Sequence, residues 1–292
     1  MTNQTNSSPL GNVGICFYGA GSMAEAIIRG LTATGAASPD RIVVLNRQNA
    51  ARLEELSRLY RVVPAAGEDA KAKALAESDV IVLCMKPKDA AEALLKLKSH
   101  LRGDQLLISV VAGLSIRTME QLLGRPHPIV RTMPNTSSTI GLGATGLSFS
   151  AAVTDAGREL ALAMFEAVGM TAVVREELME AVTAVSGSGP AYIYYMMEAM
   201  IAAGVAQGLT PETARALTVQ TVRGAAEMVH RTGEAPSELR RKVTSPNGTT
   251  HAAIETMDRL GFGETVRRAM DRCAARAAEL GEAIASEALK RM

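Results

Sequence analysis

Cysteine is scarce in this chain of 292 residues: Cys16, Cys84 and Cys273 stand far apart, and their odd number leaves at least one unpaired. Such a set excludes a disulfide framework, and the four histidines do not cluster into any zinc-binding spacing, so no metal site is expected. Cys16 and Cys84 each lie in an apolar run of strand character, where buried free thiols belong. A reducing cytoplasm is the expected compartment. A surplus of one charge is lacking too, with 31 basic against 30 acidic residues. That balance argues against a dedicated nucleic-acid binder, which would carry a clustered basic excess. No run is long enough to span a bilayer. Ala191 to Ala206 is nearly all apolar, but it is shorter than the roughly 20 residues required and holds Glu198, so it predicts a buried interface helix. Met1 to Pro9 is polar, lacks the marks of a signal peptide, and is expected to be a disordered tail.

What is present organises into two parts. Apolar runs at Val13–Tyr18, Ile42–Leu45, Val80–Met85 and Leu106–Val110 alternate with helical patterns at Ser22–Thr34, Asn49–Tyr60, Ala70–Ala76, Asp89–Ser99 and Ser115–Leu123. Strands alternating with helices predict an α/β fold with a Rossmann-type, doubly wound parallel sheet. Pro126–Pro134 and Gly141–Ser150 are expected to add later strands. After about residue 175 only helical patterns follow: Glu176–Ala184, Ala191–Gln207, Pro211–Arg231, Ala235–Lys242, Thr249–Leu260 and Glu264–Met292. The expectation is a dinucleotide-binding domain over 12–175 and an all-helical C-terminal domain over 176–292.

The first strand runs into Gly19-Ala20-Gly21-Ser22-Met23-Ala24, a G-x-G-x-x-A turn before a helix. Gly19 permits the turn, Gly21 lets backbone approach a pyrophosphate, and Ala24 keeps the helix near the sheet, with the phosphates on the helix amides. At the end of the second strand an NAD site usually carries an acid for the ribose 2′-hydroxyl. Here Asn46 and Arg47 stand instead, and both can donate to a 2′-phosphate, so NADPH is favoured over NADH. A solvated loop arginine is the plain alternative. Met85, Lys86 and Pro87 at one strand end, and Ala112 after the next, should line the dinucleotide cleft. For Lys86 an ordinary surface role is equally compatible with the pattern.

Two segments of the helical half are rich in small polar residues: Ser186–Tyr192 and Val243–Thr250. Each is expected to present amides and hydroxyls at a helix N-terminus, which suits a carboxylate. Helix capping is the competing reading.

The stretch Pro236–Thr250, with its continuation to Asp258, resembles the signature of pyrroline-5-carboxylate reductases. Ser186–Tyr192, Lys86-Pro87 and Arg131–Thr136 match further stretches of that family, and the resemblance runs in order from about Val13 to Arg276. It implies reduction of 1-pyrroline-5-carboxylate to L-proline with NAD(P)H, by two subunits interlocked through their helical domains. It further implies that Ser245 and the amides of Asn247, Gly248, Thr249 and Thr250 hold the substrate carboxylate. The hydroxyl of Thr250 would face the ring nitrogen, and Glu176 matches an acidic position near that nitrogen. Asn247-Gly248 departs from the Gly-Gly usual in the family, although Asn also tolerates positive φ.

Three rivals remain at this level. A reductase of another cyclic imino acid differs only in pocket size. A 2-hydroxy-acid dehydrogenase needs a general acid or base, typically a helical-domain lysine, and no lysine occurs between Lys98 and Lys242. A dinucleotide sensor without turnover has no use for the Ser/Thr loops.

Overall fold

The computed structural model describes residues 8–291. Most of the tail expected at Met1–Pro9 and the final residue of the last expected helix lie outside that range. The apolar runs form β1 (Ile15–Tyr18), β2 (Ile42–Leu45), β4 (Val80–Leu83) and β5 (Leu106–Ser109), almost wholly buried. Burial on both faces is what a parallel sheet covered by helices demands. The two-residue β3 (Val63–Pro64) extends the sheet beyond β2, and β6 (Ile129–Met133), β7 (Gly143–Phe149) and β8 (Gly169–Val173) extend it beyond β5. The order is β3-β2-β1-β4-β5-β6-β7-β8. The sheet is not entirely parallel, because β7 runs antiparallel to β6. The connection from Met133 to Gly143 is too short for a crossover helix, so the chain can only double back.

Helices cover both faces. On one side α1 (Ser22–Ala33), α2 (Ala50–Tyr60) and α6 (Asp155–Glu166) bury Ile27, Ile28, Leu56 and Phe165. On the other, α3 (Glu68–Glu77), α4 (Pro87–Leu97) and α5 (Ile116–Leu123) bury Leu75, Leu94 and Met119. Neither α6 nor β8 was marked by the sequence patterns. The helix is signalled by Thr154, whose Oγ1 accepts from Gly157 N at 3.2 Å as its cap. β8 is a half-exposed edge strand without apolar alternation.

The chain's contacts separate two compact units. One runs to Ser188 and takes up the chain again from Cys273; the other is Gly189–Arg272. The first therefore includes the end of the last helix, α12 (Phe262–Arg291), whose Ile284 and Ala288 join the core beside α4 and α5. The second contains α8 (Gly189–Ala206), α9 (Pro211–Thr232), α10 (Pro236–Lys242) and α11 (Thr249–Arg259). Thr210 caps α9, accepting from Thr213 N at 3.3 Å, and Pro211 follows in the first turn. α8 buries none of its residues within one chain, and Tyr195 is 76% exposed. Among the described residues no helix is long and apolar enough to cross a membrane. No cluster that could hold a metal ion occurs among them either.

Candidate active site

β1 ends at Tyr18 and the chain turns at Gly19 with φ +117°. A Cβ at Gly19 would lie 2.3 Å from the Cys84 carbonyl oxygen, so only glycine fits the turn. Gly19 N donates to Leu45 O at 2.9 Å, fixing the turn against the end of β2. Gly21 is extended and caps α1 without a side-chain bond. The amides of Ser22, Met23 and Ala24 thus have no intrahelical acceptor and are open to an anion. Ala24 is fully buried against the sheet. This cradle fits a dinucleotide pyrophosphate.

A cavity of about 580 Å³ opens beside the turn, bordered by Gly19, Ala20, Asn46, Arg47, Met85 and Lys86. Gly21, Ser22, Met23, Pro87 and Ala112 do not line it. Met23 packs its side chain against the core, leaving only its amide for a ligand. Pro87 opens α4 and fixes Lys86 as the capping residue. The Asn46 side chain closes the loop after β2, donating to Asn49 O at 2.7 Å and accepting from Asn49 N at 2.9 Å. Arg47 is 66% exposed, with Asp89 as an ion-pair partner at 3.5 Å.

Sequence reasoning missed Arg52. It lines the same cavity, donates from Nε to Ala20 O at 3.1 Å, and pairs with both Glu25 and Glu55. Tyr60 Oη donates to Glu25 at 2.8 Å. The hydrogen bond from Arg52, then that from Tyr60, hold the Glu25 carboxyl below its ordinary range against the opposing pull of burial. Only the Arg52–Glu55 pair, three residues apart on α2, had a local signal.

In the second unit, α10 gives way to a tight turn in which Gly248 N donates to Ser245 O at 3.0 Å. Asn247 occupies the left-handed region with φ +56°, the conformation for which Asn is a tolerated substitute for Gly. Gly248 caps α11 with no side-chain bond, so the amides of Thr249, Thr250 and His251 open the helix unsatisfied. Ser245, Asn247 and Thr249 are exposed, whereas Gly248 and Thr250 are half-buried. Thr250 is the second helical residue rather than the cap, and among the described residues its hydroxyl has no hydrogen-bond partner. The capping explanation of this threonine therefore does not fit its place.

The other small-residue segment differs from expectation. The helix read over Glu176–Ala184 is broken into a 3₁₀ turn at Glu176–Leu178, a short α7 (Met179–Val182) and a π-helical stretch over Thr183–Gly187 that leads on to α8. Ser188 N is taken by Thr183 O at 2.8 Å and Ser186 Oγ by Val182 O at 3.1 Å, so Ser186–Ser188 form no open amide cradle. Gly187 packs closely on Met133, where a Cβ would lie 2.6 Å from its Cε. Glu176 Oε1 accepts from Ile116 N, the first amide of α5, at 2.8 Å and lies 3.3 Å from Arg131 Nη1. The buried Arg131 also pairs with Glu180 at 2.9 Å.

Comparison with known proteins matches two separate segments of the chain. The family model described as pyrroline-5-carboxylate reductase dimerisation matches residues 176–280, and that described as NADP oxidoreductase coenzyme F420-dependent matches 14–113. Pyrroline-5-carboxylate reductase 2 of Bacillus subtilis (strain 168) is 42% identical over 277 residues, covering 95% of this chain and 98% of that protein. The Pseudomonas aeruginosa enzyme is 40% identical, covering 92% and 97% respectively. The structure of a pyrroline-5-carboxylate reductase from Coxiella burnetii superposes with a TM-score of 0.86 at 38% identity, over 92% of this chain and 98% of that one. The Plasmodium falciparum pyrroline carboxylate reductase with NADP bound gives 0.81 at 27% identity, over 93% and 99%.

Proposed function

The chain belongs to the pyrroline-5-carboxylate reductase family, and on that premise we propose how its residues divide the work of reducing 1-pyrroline-5-carboxylate to L-proline. It is an NADP(H)-dependent oxidoreductase acting on a CH–NH bond. The reaction adds a hydride to the imine carbon and leaves a proton on the ring nitrogen. NADPH, when bound, supplies the hydride. Gly19, Ala20, Gly21 and the first amides of α1 hold its pyrophosphate, Asn46 and Arg47 its 2′-phosphate, and Met85 to Pro87 with Ala112 flank its nicotinamide half.

The observation that carries the substrate assignment is the opening of α11: an uncapped row of amides beside a threonine hydroxyl with no partner among the described residues. The amides of Asn247, Thr249 and Thr250 and Ser245 Oγ bind the carboxylate, and Thr250 Oγ1 holds the ring nitrogen; the Gly248 amide, expected to join them, is taken by Ser245 O at 3.0 Å. A cyclic imine that binds protonated is already a strong hydride acceptor. That explains why this segment offers hydroxyls and amides and no strong acid. Glu176, which the family resemblance puts near the ring nitrogen, is held in place by Arg131 and the first turn of α5.

We assign 12–175 to dinucleotide binding and 176–292 to substrate binding and dimerisation, in accord with the two segments matched by the family models. A homodimer is supported by the dimerisation match and by the uncovered faces of α8. Cytoplasmic placement rests on three free thiols, of which Cys16 is fully buried. The decisive assay follows NADPH oxidation with a panel of cyclic imino acids. It should be fastest with the five-membered 5-carboxylate; faster turnover of a six-membered ring would overturn the substrate.

A further inference from the structure

The end of the cofactor cavity nearest Arg47 holds a second cation whose setting is unlike that of a surface lysine. Lys71 lies on α3, reaches over the loop after β2, and donates from Nζ to Arg47 O at 3.4 Å. Its side chain is only 20% exposed, whereas its one acidic partner, Glu68 at 2.9 Å, is 92% exposed. A lysine held only by Glu68 would follow that carboxylate into water. Instead the stem is folded back along the cavity, with the ammonium over the carbonyl of the very residue assigned to the 2′-phosphate. An ammonium has three protons, and the carboxylate and carbonyl account for two.

Charge supplies the reason for a second cation. A ribose phosphate carries about −1.5 to −2 charges near neutral pH, so one guanidinium leaves it uncompensated. Arg47 is itself shared with Asp89 at 3.5 Å. A ribose bearing only hydroxyls would gain little from an added ammonium. The benefit therefore falls on the phosphorylated dinucleotide alone.

We propose that Lys71 is the second cation of the 2′-phosphate subsite and a determinant of the preference for NADPH over NADH; this rests on the assignment of the Asn46–Arg47 end to that phosphate. Binding would draw the third ammonium proton to a phosphate oxygen, with exposed Glu68 free to swing away.

The test measures NADPH and NADH affinities by nicotinamide fluorescence on full-length Lys71→Gln, Lys71→Arg and Arg47→Gln, with adenosine 2′-monophosphate and 5′-monophosphate as competing probes. Lys71→Gln should weaken NADPH and the 2′-monophosphate about tenfold, leave NADH and the 5′-monophosphate within about twofold, and make NADPH binding less sensitive to salt. Lys71→Arg should restore most of the loss. If Arg47→Gln weakens NADPH and Lys71→Gln does not, the role of Lys71 is overturned while the subsite stands. Equal weakening of NADH and NADPH by Lys71→Gln would reduce Lys71 to a tie on the loop and also overturn it. If neither variant alters the NADPH-to-NADH ratio, the assignment of the subsite itself falls.

Discussion

The guanidinium of Arg52 holds the carbonyl of Ala20: Nε donates to it at 3.1 Å while the other two nitrogens pair with Glu25 and Glu55. Ala20 sits between the two glycines of the turn, and a carbonyl swung toward the cavity would repel the pyrophosphate. Arg52→Met should therefore raise the KM for NADPH and NADH alike, by about tenfold, with a smaller change in kcat. The lost contact is a hydrogen bond from a charged donor, worth roughly 1.5–3 kcal/mol. Arg52→Lys keeps the charge without the fork and should recover only part. Steady-state kinetics with both cofactors checks this, and an unchanged KM would remove Arg52 from the cofactor site.

Acid stability should report on His127, which is fully buried, with neither ring nitrogen in a hydrogen bond of ordinary geometry. Burial, aided by the charge of Arg125, pulls its pKa from 6.5 down to about 4. The folded chain thus keeps the ring neutral where the unfolded chain takes up a proton. Its contribution is fully present above about pH 6.5 and is lost as pH falls from there toward 4. Calorimetry across that window should show Tm declining in the parent and a flatter profile in His127→Phe. An equally steep decline in both proteins would assign the acid sensitivity to other groups.

Much of this architecture was legible where periodicity and burial agree. Val80–Leu83 reads as a buried strand because all four residues are apolar, and Gly19 reads as a turn because strand meets helix there. β8 was not legible, since an edge strand such as Gly169–Val173 buries too little to need a pattern. The π-helical stretch over Thr183–Gly187 was missed because its widened bond, Ser188 N to Thr183 O, leaves no mark in a pattern read at the α-helical period. Arg52 escaped because its partners Ala20 and Glu25 lie outside its own element. In the substrate segment the residue types were informative, but the placement of Thr250 one position past the first helical residue emerges only from the fold.

Assembly is open to a direct test. Tyr194 and Tyr195 are 56% and 76% exposed within one chain, on a helix with almost no charge. Tyrosines of this size add 150–250 Å² each when covered, and dominate interface energetics. If a second copy covers α8, Tyr195→Glu should place an uncompensated carboxylate in that contact and shift the protein toward monomers. Light scattering reads the mass. A parent that remains monomeric at micromolar concentration, or a variant assembled as tightly as the parent, would contradict a dimer through α8.

Thr250 offers the sharpest separation of chemistry from stability. Its hydroxyl has no partner among the described residues, and the cap of α11 is Gly248. Removing the hydroxyl therefore costs the free enzyme no hydrogen bond, and Thr250→Ala should melt within a few degrees of the parent. In the reaction the same hydroxyl is assigned to the ring nitrogen. Loss of a hydrogen bond to a charged partner costs roughly 1.5–3 kcal/mol, so kcat should fall about ten- to a hundredfold or more. NADPH affinity should not change, because the cofactor cavity and Thr250 belong to different units of the chain. Thr250→Ser restores the hydroxyl and should recover most of the turnover, while Thr250→Val, close in shape but without the hydroxyl, should behave like Ala. Melting temperature, NADPH affinity and kcat measured on all three variants give the answer. A Thr250→Ala enzyme with normal kcat would end the assignment, and one that is destabilised yet active would return Thr250 to a structural role.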